Sequence, residues 1–177
     1  MFHKILVALD TSKVSKSVFD EALALAKANN ANLMLLHVLC PNEEGCPDIS
    51  GLLNTYYYPG TDMDAKAHCQ QLWEQFSQNC LEMLRSRAEQ AIATGVDAEF
   101  AQRPGHSGRI ICEVACAWEA DLIVIGRRGH SGLENWVLGS VSNYVLHHAP
   151  CSVLTVQFPL RTPDQPASSS GQASAVA

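Results

Sequence analysis

Two rhythms of hydrophobic positions alternate along the chain. Residues 4–9 (KILVAL) form an unbroken apolar run ending at Asp10, the pattern of a strand buried on both faces of a parallel sheet. Thr11 and Ser12 can cap the next helix. Val18, Phe19, Ala22, Leu25 and Ala26 then recur at helical spacing until Asn29 and Asn30 end that helix. Residues 32–39 (NLMLLHVL) are a second apolar run, so residues 4–39 predict one βαβ unit.

Residues 41–66 interrupt the rhythm. Pro41, Gly45, Pro47, Gly51, Pro59 and Gly60 punctuate them, and Tyr56, Tyr57 and Tyr58 sit among them without a period. This predicts a long, partly mobile excursion from the sheet that can fold over a neighbouring site. Helical periodicity returns from about His68 to Thr94, with Leu72, Phe76, Leu81, Leu84, Ala88 and Ile92 on one broad stripe, and Gly95 stops it. A strand at 97–103, a helix at about 107–118 with Ile110, Ile111, Val114 and Ala115 inward, and a strand at 121–126 (DLIVIG) come next. A glycine-spaced loop from Gly126 to Gly139 leads to a helix at about 140–148 and a last strand at 151–158 (CSVLTVQF). Strand and helix alternating to the end predict an α/β domain with a parallel sheet and helices on both faces. There is no internal repeat. One domain over 1–158 is expected, and a disordered tail over 159–177, which carries prolines and serines without periodicity.

Composition narrows the function. Of 177 residues, 47% are hydrophobic and 17% charged, enough for one core and too little for two comfortable domains. Twelve Lys and Arg against 18 Asp and Glu give a formal charge of −6. That sign argues against non-specific binding to nucleic acid or an anionic membrane. No run approaches the roughly 18 apolar residues that span a bilayer. Seven cysteines, an odd number, with no secretory segment fit a reducing compartment and free thiols, so a cytoplasmic protein is expected.

The strongest chemical signal is Gly126-Arg127-Arg128-Gly129, nine residues, then Gly139-Ser140. Gly126 closes a buried strand and Ser140 opens a helix. Ligands of open parallel sheets sit beyond the carboxyl ends of the strands. Glycine there lets backbone N–H groups approach an anion, and the helix start adds its unpaired N–H groups, its dipole and the hydroxyls of Ser140 and Ser142. The alternative is that these glycines only form a tight turn and a helix start. Asp10, at the end of the first strand, suits a sugar hydroxyl or a base edge, or the capping of the next helix.

These residues resemble the universal stress protein family. The spacing G-x2-G-x9-G-[ST], met by Gly126, Gly129, Gly139 and Ser140, is similar to that family's nucleotide-binding motif. KILVALDTS at the start, LHV at 36–38, DLIVIG at 121–126 and PCSVLTV at 150–156 match it as well, so the resemblance covers about 1–40 and 68–158. It implies a Rossmann-like, five-stranded parallel sheet in the order 3-2-1-4-5 and a homodimer joined partly through the last strand, 151–158. It also implies an adenine nucleotide, ATP or AMP, with Mg²⁺ an option for ATP. Carried over by position, Ala8, Leu9 and Asp10 line the adenosine side and Val38 meets adenine through its backbone. Gly126, Arg127, Gly129, Gly139, Ser140, Val141 and Ser142 hold ribose and phosphates. Ala8 stands where many nucleotide-binding members carry proline, which alters the adenine wall, and the 41–66 excursion is longer than the usual connection.

Other signals resolve toward structure. Lys13-Val14-Ser15-Lys16-Ser17 is similar to the KMSKS loop of class I aminoacyl-tRNA synthetases, but it comes after the first strand and no HIGH element is present, so a solvated helix start is expected. Gly-His-Ser-Gly at 105–108 and 129–132 is not a nucleophile elbow, because Arg109 and Leu133 stand where the closing glycine belongs. Cys112 and Cys116 lack a second ligand pair for zinc, and Cys46 is expected to be the most exposed, redox-responsive thiol. His147 and His148 suit a helix end. An enzyme moving phosphoryl groups needs a metal-holding acid, yet the loop offers only Glu134 and there is no Walker lysine. A dimeric stress-response sensor that binds its nucleotide, with at most slow hydrolysis, is therefore expected ahead of an ATPase, a nucleotidyl transferase or a nucleotide-independent scaffold.

Overall fold

The computed structural model describes residues 1–41, 43, 45–48, 63–127 and 139–157. The tyrosine run, Gly129, Glu134 and the tail from 159 lie outside the described residues. The elements in chain order are β1 (Lys4–Leu9), α1 (Val14–Asn29), β2 (Asn32–Leu39), α2 (Met63–Ala93), β3 (Ala98–Pro104), α3 (Ser107–Ala117), β4 (Leu122–Gly126), α4 (Ser140–His148) and β5 (Ser152–Val156). They build one five-stranded sheet in the order β3-β2-β1-β4-β5, parallel throughout. This is the order and class implied by the family resemblance. Among the described residues no helix is long and apolar enough to cross a membrane.

Each apolar run serves two cores because successive strand residues point to opposite faces. Ile5, Val7 and Leu9 of β1 face Val18, Phe19 and Ala22 of α1 and Leu84, Ala88 and Ala91 of α2. Leu6, Leu36, Val38, Ile123 and Ile125 face the other way, onto Ile111 and Ala115 of α3 and Val145 of α4. Burial at about 1.5–3 kcal/mol for each large apolar side chain makes this double layer the main source of stability. The lower edge is tied by Asp121, whose carboxylate accepts the His3 N–H at 2.7 Å and the Lys4 N–H at 3.3 Å.

Helix ends and boundaries depart from the pattern of apolar positions in instructive ways. α2 begins at Met63, inside the stretch expected to be excursion, and Gly95 ends the turn after it with φ +84°. Its buried stripe is Cys80, Leu84, Ala88 and Ala91, while Ile92 is 56% exposed. Leu84 and Ala88 are on the expected stripe, whereas Cys80 and Ala91 are small residues that a count of large apolar positions passes over. Ser12 does not cap α1: Lys13 is the N-cap residue and makes no side-chain cap bond, while the Ser12 hydroxyl donates to Asp10 Oδ1 at 2.5 Å. Asn30 closes α1 in the left-handed conformation, φ 54°, a region asparagine tolerates well.

The thiols also sort differently. Cys46 is half-buried, and its Sγ lies 3.5 Å from the Pro47 carbonyl. Burial raises its pKa, and the charges of Glu43 and Cys40 raise it further. Cys116 is the exposed cysteine. Cys112, one turn earlier, packs against the second core. Cys80 is pushed up to about 12 by burial and then by Glu43 and Cys46. Among the described residues no group of three or more His, Cys, Asp or Glu is placed to hold a metal ion.

Two outcomes are expected. Phe19→Ala removes a ring with no exposed surface and lowers unfolding free energy by about 3–5 kcal/mol, whereas Ile92→Ala stays within about 0.5 kcal/mol; urea melts measure both. Iodoacetamide at pH 8, with peptide mass mapping afterwards, modifies Cys116 first among the described thiols and Cys80 last, because the thiolate is the reactive form. Equal labelling of the two would contradict the burial of Cys80.

Candidate functional site

All strands run the same way, so the carboxyl ends of β1, β2 and β4 and the first turns of α3 and α4 meet at one end of the sheet. Helices α1 and α2 cover one face and α3 and α4 the other. The crevice therefore lies where the chain switches sides, the usual ligand position in an open α/β sheet. A cavity of about 540 Å³ opens there, lined by Ala8, Leu9, Asp10, Val38, Gly126, Ser140 and Val141 among the residues singled out in the sequence. Its deeper wall, with Val18, Leu36, Ile111 and Ile125, is apolar and suits a flat heteroaromatic ring.

The remaining candidates take other places. Gly139 is the N-cap residue of α4 in an ordinary backbone conformation, φ −58° and ψ 151°. Ser142 is 2% exposed and donates its hydroxyl back to the Gly139 carbonyl at 3.0 Å, so that hydroxyl serves the helix start. The Arg127 N–H donates to the Val156 carbonyl at 2.8 Å and its guanidinium to Gln157 Oε1 at 3.0 Å. Arg127 thus joins the ends of β4 and β5. Gly129 lies outside the described residues.

Gly126 has a second reason to be glycine. An added Cβ would come within 3.1 Å of Val18 Cγ2 and 3.4 Å of Val14 Cγ1, so the missing side chain also lets α1 lie against β4. Asp10 likewise has two tasks. Its Oδ1 accepts from the N–H and hydroxyl of Ser12 at 3.1 and 2.5 Å, and its own N–H donates to Ser15 Oγ at 3.2 Å. Asp10 therefore does not cap α1, whose N-cap is Lys13; its carboxylate is held by the turn before the helix, at the cavity wall.

Sequence reasoning missed His106, Ser107, Gly108, Arg109 and Tyr144, which line the cavity from α3 and α4. The first Gly-His-Ser-Gly carries the signal, but a test for a hydrolase motif passes over it. Gly105 sits at φ +139°, which favours glycine. A Cβ on Gly108 would fall 2.8 Å from Tyr144 Cδ1, so this glycine lets α3 and α4 cross closely. Tyr144 stacks on His148 with ring centroids 4.0 Å apart. Arg109 Nε donates to Glu113 at 2.6 Å, and that bond together with the Glu113 charge raises its pKa above the usual value.

Glu43 was also missed, because nothing in its sequence context marks it. It lines the same cavity, yet its side chain is only 4% exposed and that of His37 is 0% exposed. The two oxygens of Glu43 lie 2.9 and 3.0 Å from His37 Nε2, and Oε1 accepts the Thr11 N–H at 2.9 Å and the Thr11 hydroxyl at 3.2 Å.

Known proteins share this architecture. The sequence model of the universal stress protein family matches residues 1–157. Universal stress protein Sll1388 of Synechocystis sp. is 36% identical over 156 residues, covering 88% of this chain and 98% of that protein. Among solved structures, universal stress protein UspA from Lactobacillus plantarum superposes with a TM-score of 0.66 at 24% identity, covering 88% of this chain and 97% of that one. A universal stress protein solved in complex with cAMP gives a TM-score of 0.56 at 24% identity over the same shares. The match over nearly the whole described chain, joined to the sheet order and the strand-end cavity, decides the classification: this chain belongs to the universal stress protein family.

Proposed function

We propose that this chain is an adenine-nucleotide-binding module of a stress response, a cytoplasmic homodimer whose surface changes with nucleotide occupancy. The observation that carries this reading is the strand-end cavity itself, with Asp10 on one wall and Ser140, at the amino end of α4, on another. An apolar wall for a base, a fixed carboxylate for ribose hydroxyls and a helix start for phosphate are the three surfaces a nucleotide needs. The cAMP held by a structural relative supports the ligand class.

In this reading Ala8, Leu9, Asp10 and the Val38 backbone take the adenosine. Gly126, Arg127, Gly129, Gly139, Ser140, Val141 and Ser142 take ribose and phosphates, Ser142 through its backbone N–H. ATP and AMP both fit the class, and Mg²⁺ would accompany ATP to shield its phosphates. Hydrolysis is slow or absent in this proposal. The dimer forms through β5, the edge strand, where Leu154 is 38% exposed.

The primary experiment denatures the purified protein and identifies any released nucleotide by chromatography and mass. Stoichiometric ATP supports binding with slow hydrolysis, and AMP or ADP points to turnover or energy-charge sensing. No nucleotide, and none bound on titration to millimolar ATP, leaves a scaffold dimer and overturns the reading. Asp10→Asn keeps the turn acceptor and removes the charge, so calorimetry should show affinity lower by about tenfold. Leu154→Arg should halve the mass seen by light scattering; an unchanged dimer would place the interface elsewhere.

A further inference from the structure

The loop that carries Asp10 needs an anchor. β1 and β2 stay in register only as far as Leu9 opposite His37, and beyond that pair no ladder among the described residues joins them. Glu43 spans the gap. It leaves β2 through a turn in which its N–H donates to the Cys40 carbonyl at 3.2 Å, and it returns its carboxylate to His37 and to Thr11, the residue after Asp10.

The hydrogen-bond donors along this chain favour one tautomer of His37. Gln102 of β3 donates from Nε2 to the Ser77 carbonyl of α2 at 3.0 Å, and Ser77 Oγ donates to Gln102 Oε1 at 3.2 Å. These bonds orient the amide and leave Nε2 facing His37 Nδ1 at 3.4 Å. Nδ1 must then accept, so the imidazole proton sits on Nε2 and is donated to Glu43. The charge of Glu43 is felt as far as α2, where it helps to raise the Cys80 thiol.

We infer that Glu43 is a positioning residue for the nucleotide site: clamped by His37, it fixes Thr11 and through it Asp10, and so sets the adenosine end of the cavity. This rests on the proposed nucleotide reading. Length, more than charge, is what the clamp requires. Glutamine keeps one oxygen in reach of both the His37 and Thr11 donors, though its amide NH2 replaces the second oxygen near Nε2, while aspartate keeps the charge but is one methylene too short to reach Thr11.

The test measures the affinity of the full chain for AMP and for adenosine, by calorimetry, in the wild type and in Glu43→Ala, Glu43→Gln and Glu43→Asp, with thermal melts as the folding control. The alanine variant should lose about tenfold for both ligands, the aspartate variant severalfold, and the glutamine variant less than about threefold. Nitrogen-15 NMR should show wild-type His37 protonated on Nε2 alone. If Glu43→Ala does not fold, the ordering of glutamine above aspartate decides. Equal affinities in all variants, or aspartate binding better than glutamine, overturn the positioning role while leaving the nucleotide reading intact. A wild type that binds neither ligand overturns both, and a His37 protonated on Nδ1 alone, with no Nε2 proton to donate, overturns the clamp.

Discussion

The parallel pairing of β1 between β2 and β4 is the constraint on which the rest of the molecule depends. A central strand flanked on both edges and covered on both faces has its backbone groups paired and its side chains packed. Ile5, Leu6 and Val7 have no exposed surface at all. Because the neighbours run in the same direction, each must be reached by a helical crossover, and the crossovers place α1 and α2 on one face and α3 and α4 on the other. The cavity is a by-product of that arrangement, opening where the two directions of winding part at the end of β1.

Much of this is legible in the chain. Continuous apolar runs mark β1, β2 and β4, since a strand buried on both faces shows no alternation. The helical stripes of α1 and α3 are visible for the complementary reason. The stripe of α2 is only partly visible: Leu84 and Ala88 follow from the spacing, but Cys80 and Ala91 are small residues that carry little weight in a count of apolar bulk. The start of α2 is hidden because Met63 lies next to a proline- and glycine-rich stretch that dominates the local signal.

The site is legible where one segment carries it and illegible where segments meet. Asp10, Gly126 and Ser140 each stand at a strand end or helix start, so position alone marks them. The role of Glu43 comes from Thr11, His37, Gln102 and Ser77, brought together from separate loops, strands and a helix, and no spacing rule links them. Ser142 and Arg127 show how a side chain can serve the fold at such a position. Their residue types suit a phosphate, but a helix start and a strand end have nearer claims on the hydroxyl and the guanidinium.

Gly126 carries a consequence for packing. Its bare α-carbon eases the approach of the α1 valines, whose methyls would sit 3.1 and 3.4 Å from an added Cβ, so helix packing bears on the position as well. A chain with no ligand at this position would still fit alanine there only where the Val18 and Val14 side chains gave way by a few tenths of an ångström. The glycine therefore reflects how the helix is seated on the sheet, and by itself is a poor witness to a ligand.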